Sequence, residues 1–504
     1  MSAAEDELTL EPGAIAEETL TSAQAKSRAA TGVAMLMGRG VAFQVLGFLG
    51  NLVLARLLVP EDFGLVAIGY AVVNLGRFLA VGGLGYAIVG RAEAPARGEL
   101  RAITGLQLVI TSTIGIVATA VAVSVGNTAL VTAVMMLALP LSAFRSPAVL
   151  LLQRKMEFKA QVKIDATEVV VNLAWAIPAA ALGFGAWSLA TAMVVAAAAA
   201  TVVACIVSPA GFLVPSLQLA RLRSILGFGV RFQAVNASHL ANDLVLTAGI
   251  GAIGGVPVLG LWNFAYRILR APYLLFEAMW HVGFPLFARL EGSPDARDVG
   301  GLLERMVATV AVAVVAVLTP LVASSPALVP LLFGDDWADA ALILPGSALA
   351  IGVYGPIGIS GYAYLYAQGD STTALQGSFL SNAVRWGTTF GLLPGLGVVA
   401  IGIGWAAAAF CELPLVAHRT RKRCGARLVR RVVRPALAGS VAGAAGWVVA
   451  DRLGVTVPSA LLSVATATAG FAALMWIFDR DELKAAVSMI RGAAREARQG
   501  IRQA

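Results

Sequence analysis

The sequence predicts an all-α polytopic membrane protein of about fourteen transmembrane helices. Three observations carry that expectation. The 504 residues are 58% hydrophobic and only 13% charged, with a mean hydropathy of +0.81, which no ordinary soluble domain shows. The apolar residues fall in runs long enough to cross about 30 Å of hydrocarbon. Those runs lack the alternation of barrel strands, which leaves helices as the structures able to satisfy their own backbone in lipid.

Taken in order, residues 1–30 form an acidic segment in which Glu5, Asp6, Glu7, Glu11, Glu17 and Glu18 precede any apolar run. It reads as a disordered tail, with no basic region followed by an apolar one to make a signal peptide. Spans follow at 36–58, 65–90, 102–124, 129–151, 164–183, 187–207, 224–252, 257–288, 306–324, 341–366, 373–393, 397–417, 435–451 and 457–477. Two six-helix lobes, residues 36–207 and 224–417, are closed by a C-terminal pair at 435–477. Twelve spans with a rearranged C-terminal region is the alternative. Residues 478–504 read as a tail helix opened by Asp479 and ended by Arg491, Arg495, Arg498 and Arg502. Such a tail either lies on anionic headgroups or is simply solvated.

Charge sets the orientation. With the N-terminus in the cytoplasm, 28 of the 37 Lys and Arg residues fall in cytoplasmic segments, eight within spans and one, Arg452, in an outer loop. This positive-inside pattern requires an even number of spans and puts both termini inside. The outer loops carry Glu61, Asp62, Asp335, Asp336 and Asp339 instead. The net charge of +8 therefore reflects topology and not a nucleic-acid partner.

Polar residues inside the spans mark the candidate site. Asn263, Arg267, Arg270, Glu277 and His281 keep within roughly 80° of one another on an ideal eighth helix, with Pro272 as the residue able to kink it. A charge at mid-bilayer costs about 2.5–3.5 kcal/mol on insertion scales, so this face must look into a wet or paired interior. Tyr70, Asn74 and Arg77 repeat the device on helix 2, and Ser378, Asn382 and Arg385 on helix 11. Helix 1 aligns Gly40, Gln44, Gly47 and Asn51, where small residues allow close approach. Helix 7 aligns Gln233, Asn236, His239 and Asp243. Such stripes either line one hydrated cavity or hydrogen-bond between helices.

The arginines divide by depth. Arg39, Arg56, Arg145 and Arg231 lie within about two turns of a span end, where they either snorkel or serve the cavity. Arg77, Arg267, Arg270 and Arg385 are deeper and suit an anion such as phosphate, because the guanidinium fork donates parallel hydrogen bonds and stays charged. Asp165 and Glu168 are expected to pair with Lys163 at a membrane edge. Asp243, Glu277, His239 and His281 are the groups able to couple transport to an ion, or simply to neutralise arginines and hydrogen-bond locally.

An internal repeat is visible. Gly38–Gln44 and Gly227–Gln233 share Gly-x-Gly-Val-x-Phe-Gln, and Gly64-Leu65 with Tyr70 matches Gly260-Leu261 with Tyr266. The copies are six spans apart and so enter the membrane in the same direction, as in parallel-repeat transporters.

A Gly-x-Gly-x-x-x-Gln first helix, a Leu-x-Pro-x-x-Phe-Gly turn (Leu58 to Gly64) and a Gly-Leu-x-x-x-x-Tyr opening to helix 2 form one signature. On these residues the chain, over roughly 30–420, resembles the oligosaccharide flippases, polysaccharide transporters of the multidrug/oligosaccharidyl-lipid/polysaccharide exporter superfamily. The second lobe keeps only part of the turn: Val256-Pro257 echoes Val59-Pro60, one residue shorter to Gly260 and without the Phe. The resemblance implies two lobes around a central cavity in the bacterial inner membrane. It also implies export of a sugar chain on a polyprenyl pyrophosphate from the inner to the outer leaflet, for O-antigen, capsule or exopolysaccharide. The expected partners are that lipid-linked oligosaccharide, membrane lipids and the polysaccharide polymerase machinery. Arg77, Arg267, Arg270 and Arg385, with Asn74, Asn263, Gln44 and Gln233, would then contact substrate. A multidrug or ion antiporter of the same superfamily is the alternative, although it should line its cavity with acids and aromatics. A lipid II flippase follows the same physical logic. The short loops leave no room for a sugar-nucleotide domain, and no nucleophile-elbow, Walker or metal-ligand spacing is present. Cys205, Cys411 and Cys424 read as small packing residues. No enzyme activity, metal or cofactor is expected.

Overall fold

The computed structural model describes residues 43, 45–81, 95–125, 130–155, 157–218, 223–270, 272–290, 298–482 and 484. Within helices, several side chains between 221 and 289 lie outside the described set, those of Arg231, Gln233, His239, Glu277 and His281 among them. The acidic segment 1–30, Arg39, Gln44 and most of the basic tail also lie outside it.

The described residues build helices throughout: α1 (Val45–Leu57), α2 (Pro60–Val81), α3 (Arg97–Val125), α4 (Leu130–Met135), α5 (Ala138–Arg154), α6 (Phe158–Ala181), α7 (Ala186–Val207), α8 (Arg223–Ile268), α9 (Tyr273–Leu290) and α10 (Val299–Phe333). A 3₁₀ stretch (Asp335–Ile343) leads into α11 (Leu344–Ala367), followed by α12 (Ser371–Leu396), α13 (Val399–Cys424), α14 (Leu428–Leu453) and α15 (Val457–Phe478). Eleven spans among them are long and apolar enough to cross a membrane. α1 is shorter, and α12 is long enough but carries Ser378, Asn382 and Arg385.

Local chemistry starts these helices where the sequence places polar or proline residues. Pro60 occupies the first helical position of α2, and the Asp62 carboxylate reaches back to accept from Val59 N at 3.2 Å. Glu99 does the same for Ala96 N at the start of α3. Thr456 caps α15, and Asp370 caps α12 by accepting from Thr373 N at 3.0 Å.

The expected eighth span is not one helix. α8 contains a break at Gly255 (φ 84°, ψ 170°), which separates residues 223–254 from 256–268. Residues 269, 270 and 272 are turn residues, with Tyr273 N donating to Arg270 O, before the chain continues as α9. Pro272 cannot donate a backbone hydrogen bond, so the helix stops ahead of it. Asn263, Arg267 and Arg270 are therefore on a different segment from Glu277 and His281.

Backbone packing divides the chain into two compact units. The first holds the described residues up to Leu58 together with Leu65–Thr247; the second holds Val59–Gly64 and the described residues from Ala248 onward. In the first, α6 packs along α7, and α5 fits between α3 and α7. Ala148, Leu152, Ile164, Ala200 and Ala204 form one of its cores. The close approach expected of Gly47 is made by Gly50 instead, whose Cβ would enter the Leu173 side chain; Gly47 has no described neighbour within 4 Å. In the second unit α10, α14 and α15 pack together, and α13 is flanked by α11 and α12.

The motif turn and its echo meet inside the second unit. A Cβ on Gly64 would collide with the Val256 carbonyl, and a Cβ on Gly260 with the Pro60 carbonyl. Gly64 is four residues past Pro60, and Gly260 four past Val256. The two copies thus cross reciprocally, each glycine lying on the other copy's backbone. Phe63, 3% exposed, inserts its ring 5.0 Å from buried Trp337, which stands 4.4 Å from Phe264.

Gly64→Ala and Gly260→Ala are each expected to lower stability by about 1–3 kcal/mol or more, because backbone cannot yield as a side chain can. Gly47→Ala, in open space on α1, is expected to be neutral or stabilising by up to about 1 kcal/mol. Thermal midpoints of the purified protein in detergent check all three. Asp370 provides a pH test. Burial favours its neutral form, but the Thr373 hydrogen bonds and the charges of Arg423 and Arg419 outweigh this and hold the carboxyl below its usual range. Its contribution is therefore complete above the ordinary carboxylate pKa and is lost as pH falls through the lowered folded value. Asp370→Asn should cost about 0.5–2 kcal/mol near neutrality and flatten the acid limb of the stability profile.

Candidate functional site

In the first unit, α2 presents exposed Asn74 and, one turn on, Arg77. Arg77 does not stand alone. Its Nη2 lies 3.7 Å from Glu168 Oε1 on α6, and Arg145 of α5 donates from Nη1 to Glu168 Oε2. One acid thus holds two arginines, with side-chain exposures of 33% for Arg77 and 14% for Arg145. This corrects two expectations. Glu168 does not serve Lys163: five residues on, it points about 140° round the helix. Arg145 does not snorkel; it is bound within the bundle. The Arg77 Nε–H is buried and makes no hydrogen bond among the described residues. Asp243, also in this unit, is exposed and accepts from Asn242 Nδ2 at 3.3 Å.

The second unit holds Asn263, Arg267, Arg270 and Arg385. Residues 256–268 carry the first two, and Arg270 sits in the turn just beyond. Arg267 and Arg270 are exposed, and Asn263 is half-buried with Nδ2 toward Leu259 O. Arg267 lies about 18 Å along the helix from the break at Gly255, in the last turn of the segment. Its guanidinium stands 5.7 Å from the Phe63 ring, so the motif phenylalanine positions a candidate arginine by cation–π contact. Among the described residues Arg270 makes no ion pair.

Arg385, on α12, lies with its Cζ 5.3 Å from the Trp405 ring of α13. Gly404 allows that approach: a Cβ there would enter Thr389 and stand 3.2 Å from the Arg385 carbonyl. Trp405 in turn meets Trp262 (5.4 Å, edge-on) and Tyr266 (6.0 Å, stacked). The polar stripe foretold the arginines and missed these rings. Tyr266 was visible only as a repeat position, and Trp405 has no periodic relation to it.

A second unforeseen cluster is Glu412 of α13, 7% exposed, which accepts from the Tyr362 hydroxyl of α11. The sequence marks Glu412 only as an intramembrane acid. At the start of α14 and just past the end of α15 the basic clusters find acids: Arg431 bonds Glu304 at 3.0 Å and approaches Glu482, and Arg434 bonds Asp479 at 3.0 Å. Burial and the adjacent Asp479 push Glu482 up, against the pull of Arg431. Among the described residues no group of three or more His, Cys, Asp or Glu could hold a metal.

Glu168→Gln should destabilise the first unit by leaving two arginines facing each other. A fully buried pair would lose about 3–5 kcal/mol; partial exposure reduces this to about 1–3 kcal/mol. A second change, Arg145→Gln, should recover part of the thermal midpoint, and additive losses would contradict a shared charge site.

Residues 53–342 match a family profile described as polysaccharide biosynthesis protein. The succinoglycan biosynthesis transport protein ExoT of Rhizobium meliloti (strain 1021) is 27% identical over 319 residues, 60% of this chain and 62% of that protein. The match therefore spans less than two thirds of the relative's length. Among solved structures, the fold is similar to a lipid II flippase MurJ in an inward closed conformation (TM-score 0.63, 11% identity, 89% of this chain and 99% of that one). It is also similar to an inward-facing multidrug resistance MATE family transporter of the MOP superfamily (TM-score 0.58, 16% identity, 75% and 95%). At such identities these structures speak to the fold alone. With the profile covering more than half its length, the chain belongs to the polysaccharide biosynthesis protein family.

Proposed function

We propose that the protein is a flippase that carries a polyprenyl-pyrophosphate-linked oligosaccharide from the inner to the outer leaflet of a bacterial inner membrane, by alternating access. The observation that carries this reading is the exposure of Arg267 and Arg270 beside Tyr266, at the last turn of a membrane segment and in the turn that follows it. Exposed guanidinium groups there point to a wet face, which suits an anion. A pyrophosphate accepts the parallel hydrogen bonds that arginine donates. Arg385 adds a third cation in the same unit. Arg77, although it shares Glu168 with Arg145, keeps a buried Nε–H to offer. The printed name of the Rhizobium relative, a succinoglycan transport protein, supports a polysaccharide precursor as cargo. Both termini are proposed to lie in the cytoplasm, since the basic residues gather there.

A cation exporter would also use aromatic rings. The exposed charges beside these rings are arginines, which repel an organic cation. The exposed Asp243 and the side chains of Glu277, His239 and His281 retain the proposed coupling role.

In vesicles loaded with the lipid-linked oligosaccharide, Arg270→Ala should slow flipping by about tenfold or more, given the roughly 1.5–3 kcal/mol of a hydrogen bond to a charged group. Arg270→Lys should fall between that variant and the wild type, since lysine keeps the charge without the fork. Undiminished flipping in both variants would refute the phosphate-clamp role. Export of cationic dyes without lipid-linked sugar would establish the antiporter instead.

A further inference from the structure

We propose that the recess between the start of α10, the start of α14 and the end of α15 binds the phosphate of an anionic phospholipid whose chains lie along α14. The site is separate from Arg267, Arg270 and Arg385, and it does not depend on what the transporter carries.

Charge comes first. The recess has a volume of about 200 Å³, and Arg427, Arg430, Arg431 and Arg434 all line it. On an ideal helix Arg430, Arg431 and Arg434 fall within about 100° of one another, and Arg427 occupies the N-cap position of α14. Three acids share the space and are already engaged. Glu304 bonds Arg431 at 3.0 Å and accepts from Arg427 N at 2.7 Å. Glu482 lies 3.7 Å from Arg431, and Asp479 bonds Arg434 at 3.0 Å. The side chains of Arg427 and Arg430 make no ion pair among the described residues, and both residues are exposed. The acids thus fix Arg431 and Arg434 and leave two guanidinium groups without a counter-charge. Such a pair accepts a phosphate through parallel hydrogen bonds.

Depth comes next. Trp476 of α15 is 47% exposed, with the Arg480 guanidinium 4.8 Å and the Lys484 ammonium 6.0 Å from its ring centroid. An exposed tryptophan beside two cations at a span end marks the headgroup level. Arg434 sits at that level, since its Nη1 donates to Phe478 O at 3.3 Å. With the basic residues on the cytoplasmic side, this is the inner leaflet, where anionic lipid attracts arginine.

The surface beyond the recess is apolar. Arg430, Arg434, Leu437 and Val441 stay within about 60° on α14, so one stripe passes from cationic to hydrocarbon. Leu437 and Val441 are each 60% exposed. From Arg430 to Val441 the stripe is about 16 Å long, close to half of the roughly 30 Å hydrocarbon core. A free phosphate would use the arginines alone. A phospholipid matches the whole stripe, with its phosphate on Arg427 and Arg430 and its chains over Leu437 and Val441. Topology needs positive charge somewhere in this segment, but it does not require the charges to converge on a recess.

The test titrates the full-length protein in detergent with phosphatidylglycerol or phosphatidylcholine, and native mass spectrometry reads the fraction carrying lipid. The wild type should bind phosphatidylglycerol about tenfold more tightly than phosphatidylcholine, and excess sn-glycerol 3-phosphate should not displace it. Arg427→Gln with Arg430→Gln, which breaks no ion pair, should weaken phosphatidylglycerol binding by about 10- to 30-fold, at roughly fivefold per cation. Arg427→Lys with Arg430→Lys should fall between that variant and the wild type, since lysine keeps the charge without the fork. Arg421→Gln with Lys422→Gln removes the same charge from the exposed end of α13 and should stay within about twofold of the wild type. Equal losses in the two glutamine variants would mean general surface attraction and overturn the site. An unaltered affinity in Arg427→Gln with Arg430→Gln, or a wild type without preference for phosphatidylglycerol, would overturn it as well. Displacement by sn-glycerol 3-phosphate would overturn the lipid in favour of a free anion.

Discussion

The reciprocal contact of Gly64 with Val256 and Gly260 with Pro60 is the constraint on which the candidate site depends. Two helix starts approach until each glycine lies on the other's carbonyl, a distance that no side chain permits. This crossing sets the beginning of the segment 256–268, and with it the rotation that exposes Tyr266, Arg267 and Arg270. Its flank is sealed by Phe63, Phe264, Phe333 and Trp337, in an aromatic cluster of two edge-to-face pairs and one tilted pair with centroids 4.4 to 5.0 Å apart. The Leu-x-Pro-x-x-Phe-Gly motif is thereby explained residue by residue. Proline starts the helix, phenylalanine fills the cluster and supports Arg267, and glycine lets the backbones meet.

Much of this was legible in the sequence, for physical reasons. Helices that cross lipid must be long and apolar, so their existence follows from hydropathy. The duplicated Gly-Leu pair, read as a sign of repetition, turned out to be the point where the copies touch. What stayed hidden depended on contacts between distant positions. Glu168 has Lys163 near it in sequence, yet helix geometry turns it toward Arg77 and Arg145. Trp405 and Tyr266 share no period. The end of the helix at Ile268 was signalled by Pro272, but a proline alone does not reveal whether a helix bends or ends. Gly50 was not singled out, and Gly47 was, because a glycine's neighbour, not its spacing, decides which helix it admits.

The intramembrane arginines illustrate one residue type in three physical settings. Arg145 is neutralised by an acid on the adjacent helix. Arg267 and Arg385 rest against aromatic rings, which lower the cost of a charge without cancelling it. Arg270 is exposed at a turn. A ring eases the burial of a cation without supplying its counter-charge, whereas a carboxylate supplies it.

Biogenesis gives the glycine crossing a further meaning. During translation the turn at Leu58–Gly64 leaves the ribosome long before residues 256–260 exist. Until then the first turn of α2 has its glycine face and the Phe63 ring without their final neighbours, and Trp337 is made later still. The nascent helix must wait in the membrane half-completed, shielded by lipid or by the insertion machinery. A chain interrupted anywhere between these segments would contain every residue of the first copy and still lack the surface on which its signature turn settles.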